Sequence, residues 1–414
     1  MASKTKLRNM KNIKKEPIFL LITASLFVAF IALMQNKYGQ FSDVRGFYGM
    51  HFYDGQHRWP YSESYTPIGA KDPLHAVEYP VLTGLVMWLI SFFVSPSNMA
   101  IFHYYWLTAT LHIILFAISA YQVKLLSNRK SAYYFILAPA VLYSLYRNWD
   151  IWALIPMLFA IILFEKEKFN QSAFWLAVAI ATKFFPIVLA LPIAIIFVRK
   201  GRLKELFKYT TMTLAIWITI NLPFALIDFK GWFYFYEFSY KRSVGSASIF
   251  EIISILKLGV SFPKPIFYLL NIGIFALVGI FLYKCKEIPR LAESAFFVLF
   301  AFTLFNKQYS MQYVIWLAPF AVITMYKINK NKQWLLFCFY IFWQVTELLF
   351  QYSFFQNILT NTYADTDTPM TTVVSTHTYA WIGVIRYLAV IVFTSLLAKY
   401  LYEARKPVIQ GQKK

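Results

Sequence analysis

Blocks of roughly 17–25 mostly apolar residues recur along almost the whole chain, the length that crosses a hydrocarbon core about 30 Å thick. No water in that core can hydrogen-bond a free N–H or C=O, so such a block is forced into a helix. Composition agrees. Of the 414 residues, 59% are hydrophobic and 14% charged, where soluble domains average about 45–50% and about 25%. The expected fold class is therefore an all-α polytopic membrane protein.

The net charge of +21 sits mainly in short Lys- and Arg-bearing loops between apolar blocks, the pattern of positive-inside topology signals rather than of a nucleic-acid surface. No nucleic-acid partner is expected. The two cysteines, Cys285 and Cys338, have neither metal nor redox spacing. Six basic residues from Lys4 to Lys15 precede an apolar run from Pro17 to Met34 that lacks a small-x-small cleavage site, so this run reads as an uncleaved first span.

Two later blocks decide the topology. Block 79–95 can cross the membrane or dip into it, and block 171–198 is interrupted by Thr182-Lys183-Phe184-Phe185-Pro186. If 79–95 crosses and 171–198 is one span, Lys124, Arg129, Lys130, Lys166 and Lys168 fall outside and Lys183 is stranded in mid-membrane, where an ammonium is costly. If the first dips and the second is a hairpin, every inside segment reads basic, and together they hold 27 of the 40 Lys and Arg residues. The second arrangement gives about 12 transmembrane helices. The expected organisation is one integral membrane domain over 1–414: a first span at 16–36, an outer catalytic loop at 37–99 with re-entrant or interfacial 79–95, further helices over 100–402 and a tail at 403–414. Both termini are expected in the cytoplasm of a multi-pass plasma (inner) membrane protein. The short hairpin arms imply a thinned or water-filled outer vestibule.

This topology gathers most carboxylates on the outer face, including Asp43, Asp54, Glu78 and Asp150, with five of the six histidines and a few isolated cations. A short amphipathic helix is expected from Ser42, with Ser42 as its N-cap and Asp43, Phe47 and His51 four apart on the bilayer surface. Asp43, directly after the first span, has two readings: a general base acting on a hydroxyl near the interface, or an acid serving the helix dipole. Arg147 and Asp150 lie three apart, as in a structural ion pair, or Asp150 is a second vestibule acid. Glu347 and Arg386 fall within spans, where charges usually pair. The crowd Trp232-Phe233-Tyr234-Phe235-Tyr236 reads as an interface belt before a sugar platform. No metal spacing is evident.

The order of one span, an Asp-bearing outer loop, Asp54-Gly55 followed by Pro60-Tyr61, then Glu78-Tyr79-Pro80-Val81-Leu82, resembles the GT-C polyprenol-phosphate-sugar glycosyltransferases. The likeness is greatest to glycosyltransferase family 87, the bacterial polyprenol-phosphomannose (or arabinose) dependent enzymes. Asn306-Lys307-Gln308-Tyr309-Ser310-Met311-Gln312-Tyr313 resembles that family's Asn-Lys-x-Tyr-Ser-Pro-Gln-Tyr loop, with Met311 in place of the usual Pro. Ala181–Pro186 and Phe238–Ser243 also fit, and the likeness is colinear over most of the chain.

The resemblance implies a GT-C-like bundle and an inverting transfer. Asp43 would deprotonate a glycolipid or glycan acceptor while the sugar, mannose before arabinofuranose, leaves a polyprenyl-phosphate donor. It implies no cofactor and no metal. The leaving phosphate needs cations or N–H donors, for which Lys183, Arg242 and Lys307 are candidates, with Tyr309 and Gln312 as hydrogen-bonding partners. Each cation can also be read as a snorkelling side chain. His51 and His57 are either solvated loop residues or sugar-hydroxyl contacts. Glu78 either caps the dipping segment or touches the acceptor. A transporter or flippase of a lipid-linked or small polar substrate is the competing function, and a structural subunit a third.

Overall fold

The structure is a computed structural model that describes residues 18–35, 42–52, 57–62, 64–65, 74–245, 247–258, 264–328, 330–363 and 374–403. Its described elements are helical apart from two antiparallel two-residue strands, Ser64–Tyr65 and Leu74–His75. Six described helices are long and apolar enough to cross a membrane. They are α1 (Ile18–Gln35), α4 (Ala100–Leu126), α10 (Leu203–Ile227), α13 (Lys264–Lys284), α16 (Lys330–Tyr363) and α17 (Thr376–Glu403). The chain is a multi-pass membrane protein.

Shorter elements lie between them: α2 (Asp43–His51), α3 (Val81–Ser91), α5 (Arg129–Ile136), α6 (Pro139–Ser144), α7 (Asp150–Glu165), α8 (Phe169–Thr182), α9 (Ala190–Arg199), α11 (Phe229–Lys241), α12 (Ile249–Ile255), α14 (Leu291–Leu304) and α15 (Val314–Met325). Helix α3 has 11 residues and so rises about 16 Å, half the thickness of a hydrocarbon core. Pro139 starts α6 and breaks what would otherwise be one helix from α5, because its ring and missing N–H stop the preceding turn.

Ion pairs define two ends of the bundle. At one end Lys183 meets Asp150, and the N–H of Asp43 donates to the carbonyl of Arg147. At the other, Arg202 meets Glu167, Arg290 meets Glu165, and Lys327 meets Glu293. The block 171–198 is therefore two arms. It leaves the second end at α8, turns at Lys183, and returns through a 3-10 turn (Phe185–Leu189) and α9 to Arg202. One continuous helix could not bring Lys183 to Asp150 and Arg202 back to Glu167.

The interior is built by α7, α14 and α15, which are buried on nearly every side. Helices α10 and α13 bury only 11% and 17% of their apolar windows, so most of their side chains face lipid. Helices α16 and α17 are tied by the ion pair expected from sequence: Arg386 Nε donates to Glu347 at 2.6 Å, with both side chains buried. In hydrocarbon each of these charges needs the other.

Candidate active site

The site end is assembled around the first turn of α2. Ser42 occupies the N-cap position, but its hydroxyl does not cap the helix. It donates to the carbonyl oxygens of Tyr146 (2.8 Å) and Arg147 (3.3 Å), and the Asp43 N–H donates to Arg147 O at 2.8 Å. Three bonds thus dock the start of α2 on the turn before α7. Val44, Phe47, Tyr48 and His51 form a buried stripe, with Tyr48 stacked on Tyr104 of α4 at 4.6 Å. The apolar face of α2 therefore packs on protein instead of lying on the bilayer. Asp43, off that stripe, stays accessible.

Beneath Asp43, Phe47, Tyr79 and Trp149 pack edge to face with centroids 5.2–5.8 Å apart. Asp150, the first residue of α7, is fully buried and its ion pair is with Lys183. That corrects the expected Arg147–Asp150 pair: the guanidinium of Arg147 lies instead over Tyr143 (4.6 Å) and Phe355 (4.3 Å). Lys183 reaches Asp150 because α8 stops there in an extended residue. Its ammonium lies 4.7 Å from the Tyr79 ring, and Thr83 of α3 donates to Thr182 O at 2.5 Å, fastening α3 to the same turn.

The Asp43 carboxyl is reachable by solvent yet closely surrounded by protein. Desolvation is the largest influence on it, and its pKa is pushed up to about 6. Lys183 opposes the rise most strongly and Asp150 adds to it, while Arg147 and Arg242 act with Lys183. Burial also raises Glu78; Arg242 and Lys183 pull it down and Asp43 pushes it up. Asp43, Glu78, Asp150, Lys183, Arg147 and Arg242 are thus one electrostatic group, drawn from segments far apart in sequence. Tyr313 faces it too, stacked on Trp316 (4.0 Å), which stacks on Phe185 (3.7 Å) just beyond Lys183.

Other expected residues sit elsewhere. His51 is buried and stacked on Phe47 at 5.5 Å, and desolvation lowers it to about 4, so it is a neutral packing residue rather than a solvated one. His57 contacts Ser91 (2.9 Å) and stacks on Phe92 (4.3 Å), pinning the loop to the end of α3. Glu78 makes no cap to α3, whose N-cap is Pro80. Tyr309 is buried, its hydroxyl donating to Glu347 at 2.9 Å and its ring 3.9 Å below Arg386. Gln312 is buried in a 3-10 turn, and Lys307 donates to Tyr240 O at 2.9 Å. Arg242 is exposed, 5.3 Å over Phe238, with no ion partner among the described residues. Asp54-Gly55, Glu63, Asp72, Asp365 and Asp367 lie outside the described side chains.

Sequence reasoning missed Tyr79, Trp149 and Tyr313 as walls of the site. Tyr79 and Tyr313 stood inside singled-out motifs, but an aromatic beside a membrane carries no mark of what it faces. Among the described residues, no three His, Cys, Asp or Glu side chains gather as metal ligands.

No family model matches the sequence, and no curated protein matches it. Among solved structures, the chain is similar to ArnT from Cupriavidus metallidurans, in the apo state (TM-score 0.48) and bound to undecaprenyl phosphate (TM-score 0.47). Each match has 13% identity over 93% of this chain and 77% of the other.

Proposed function

We propose that the protein is a membrane glycosyltransferase that moves a sugar from a polyprenyl-phosphate donor to a glycolipid or glycan hydroxyl at the outer face of the plasma membrane, with Asp43 as general base. The observation that carries this reading is the convergence of one accessible, desolvated carboxyl with Lys183, Arg147 and Arg242 at one end of a membrane bundle. A carboxylate poised near neutrality suits proton removal from a hydroxyl, and cations beside it suit a leaving phosphate.

In the proposed reaction the acceptor oxygen attacks the anomeric carbon as Asp43 takes its proton. The bond from that carbon to the phosphate oxygen breaks with inversion, and its electron pair leaves with the polyprenyl phosphate. Arg242 and Lys183 balance the charge that develops there. Lys307, held against Tyr240 O, acts on the loop that carries Arg242.

An apolar groove of about 590 Å³ supports a lipid-linked substrate. It runs from Phe184, the neighbour of Lys183, past Ile180 and Ile187 to Leu206 and Tyr209 near the opposite end. A transporter site is expected near the bilayer midplane, whereas this charge cluster lies at one end. Mannose is the proposed sugar, on the resemblance to family 87, and in this proposal the chain forms a single membrane domain with both termini in the cytoplasm.

The test is Asp43→Asn in membranes supplied with labelled polyprenyl-phosphomannose. Loss of a positioned base costs about 10²–10⁴ in rate, so transfer is expected to fall by at least about 100-fold with normal insertion. Undiminished transfer removes Asp43 from the mechanism.

A further inference from the structure

Arg242 sits in a strap, residues 242–245, that joins the C-terminus of α11 to Ala247 and α12. The strap has no regular structure, yet it is held at both ends. On the far side, Tyr387 donates to Ala247 O at 3.1 Å, and the Ala247 N–H donates to Glu251, which also accepts from Tyr379. On the near side it is clamped to the Lys307-Gln308 segment. The Gly245 N–H donates to Lys307 O (2.8 Å), Gln308 Nε2 donates to Ser243 O (2.6 Å), and Lys307 Nζ donates to Tyr240 O (2.9 Å). The Gln308 amide fills the space beside Gly245, where an added Cβ would lie 1.6 Å from its Oε1. These bonds leave the Arg242 guanidinium exposed while fixing the backbone on both sides of it.

We infer that Gln308 is a positioning residue that clamps the 242–245 strap, so that Arg242 is presented to the anionic group of the substrate. The inference rests on the glycosyltransferase reading for what Arg242 meets, but the clamp itself is a property of the free protein. An arginine on an untethered loop would have to be ordered when the ligand binds, and ordering a long side chain and its backbone costs free energy that a preset strap has already spent. Gly245 is required for the same reason: a side chain there displaces the Gln308 amide.

The experiment uses the full chain in detergent with Arg242→Ala, Gln308→Ala and the double variant. Two quantities are read: inhibition of transfer by a short-chain polyprenyl monophosphate, and hydrogen exchange over residues 242–245 without ligand. Gln308→Ala should raise the inhibition constant about 5–10-fold, the loss of one well-placed hydrogen bond, and speed exchange in the strap. Because Gln308 acts through Arg242, the double variant should bind no worse than Arg242→Ala alone. Gly245→Ala should reproduce the Gln308→Ala result.

Unchanged exchange in Gln308→Ala overturns the clamp whatever the reaction is. Independent, multiplying effects in the double variant overturn its action through Arg242. Faster exchange with normal inhibition in both single variants removes Arg242 from phosphate binding, a failure of the glycosyltransferase assignment of Arg242 that takes the positioning role with it.

Discussion

Asp43 carries a carboxyl that its surroundings hold at about 6, and the sign of each neighbour's influence makes it testable residue by residue. If it is the base, transfer requires its ionised form. The rate should then fall about tenfold per pH unit below about 6, as expected for one ionisation. Lys183→Met removes the cation that lowers this pKa most, so the acid limb should move to higher pH. Asp150→Asn removes a negative neighbour that raises it, so the limb should move lower. Rate profiles of the two variants that shift in the same direction would assign the limb to another group. His51 is not that group, being neutral down to about 4, and His51→Asn should leave the limb in place. The sequence marked Asp43 as an acid just after the first span and Lys183 as a charge interrupting an apolar block, and the family resemblance made Lys183 a candidate cation. Of its two readings of Asp150, the ion pair with Arg147 named the wrong cation, because spacing along a helix reveals near neighbours and not the turn of another hairpin.

Helix α3 shows how a short element is held without side-chain caps. Tyr61 folds over it and donates its hydroxyl to Tyr79 O (3.1 Å) and Pro80 O (2.8 Å), while Gly84 leaves room for the ring. A Cβ at Gly84 would lie 2.1 Å from the Tyr61 oxygen. Gly84→Ala should therefore destabilise the protein by about 1–3 kcal/mol, as overpacking does. Tyr61→Phe, which keeps the ring, should cost about 1 kcal/mol. Thermal unfolding in detergent compares them, and an equal or milder effect of Gly84→Ala would show that Tyr61 is not wedged there. The sequence delimited an apolar block at 79–95 without deciding whether it crosses, and the structure narrows its helix to the 11 residues of α3; the interruption at Lys183-Phe184-Phe185-Pro186 was legible. The amphipathic character of α2 was legible too, but not its partner. A stripe of Val44, Phe47, Tyr48 and His51 fits lipid and protein alike, and only the packing of Tyr48 on Tyr104 decides between them.

Across the whole molecule, charge is divided between two ends. Lys241 of α11 lies at the end that holds Asp43, and Lys204 of α10 at the end that holds Glu167 and Arg202. With Cys285 and Cys338 replaced, single cysteines at 241 and 204 should react with an impermeant thiol reagent from opposite sides of the membrane, 241 from outside. Labelling of both from one side would break the arrangement of α8, α9 and α10. The helical membrane class and the hairpin turn follow from sequence because their cause is local: backbone groups in hydrocarbon must be satisfied within their own segment, and a lone lysine in mid-membrane is costly enough to signal a turn. The positions of Glu347 and Arg386 within apolar spans made their pairing legible for the same reason. Which helices then touch is decided by shape, and apolar side chains are nearly interchangeable in that role. So the sequence by itself determined a many-helix membrane protein with its candidate acid and cations near one end. Only the tertiary structure brought Asp43, Glu78, Asp150, Lys183 and Arg242 into one electrostatic group, because a charge becomes catalytically useful through neighbours supplied by segments more than a hundred residues away.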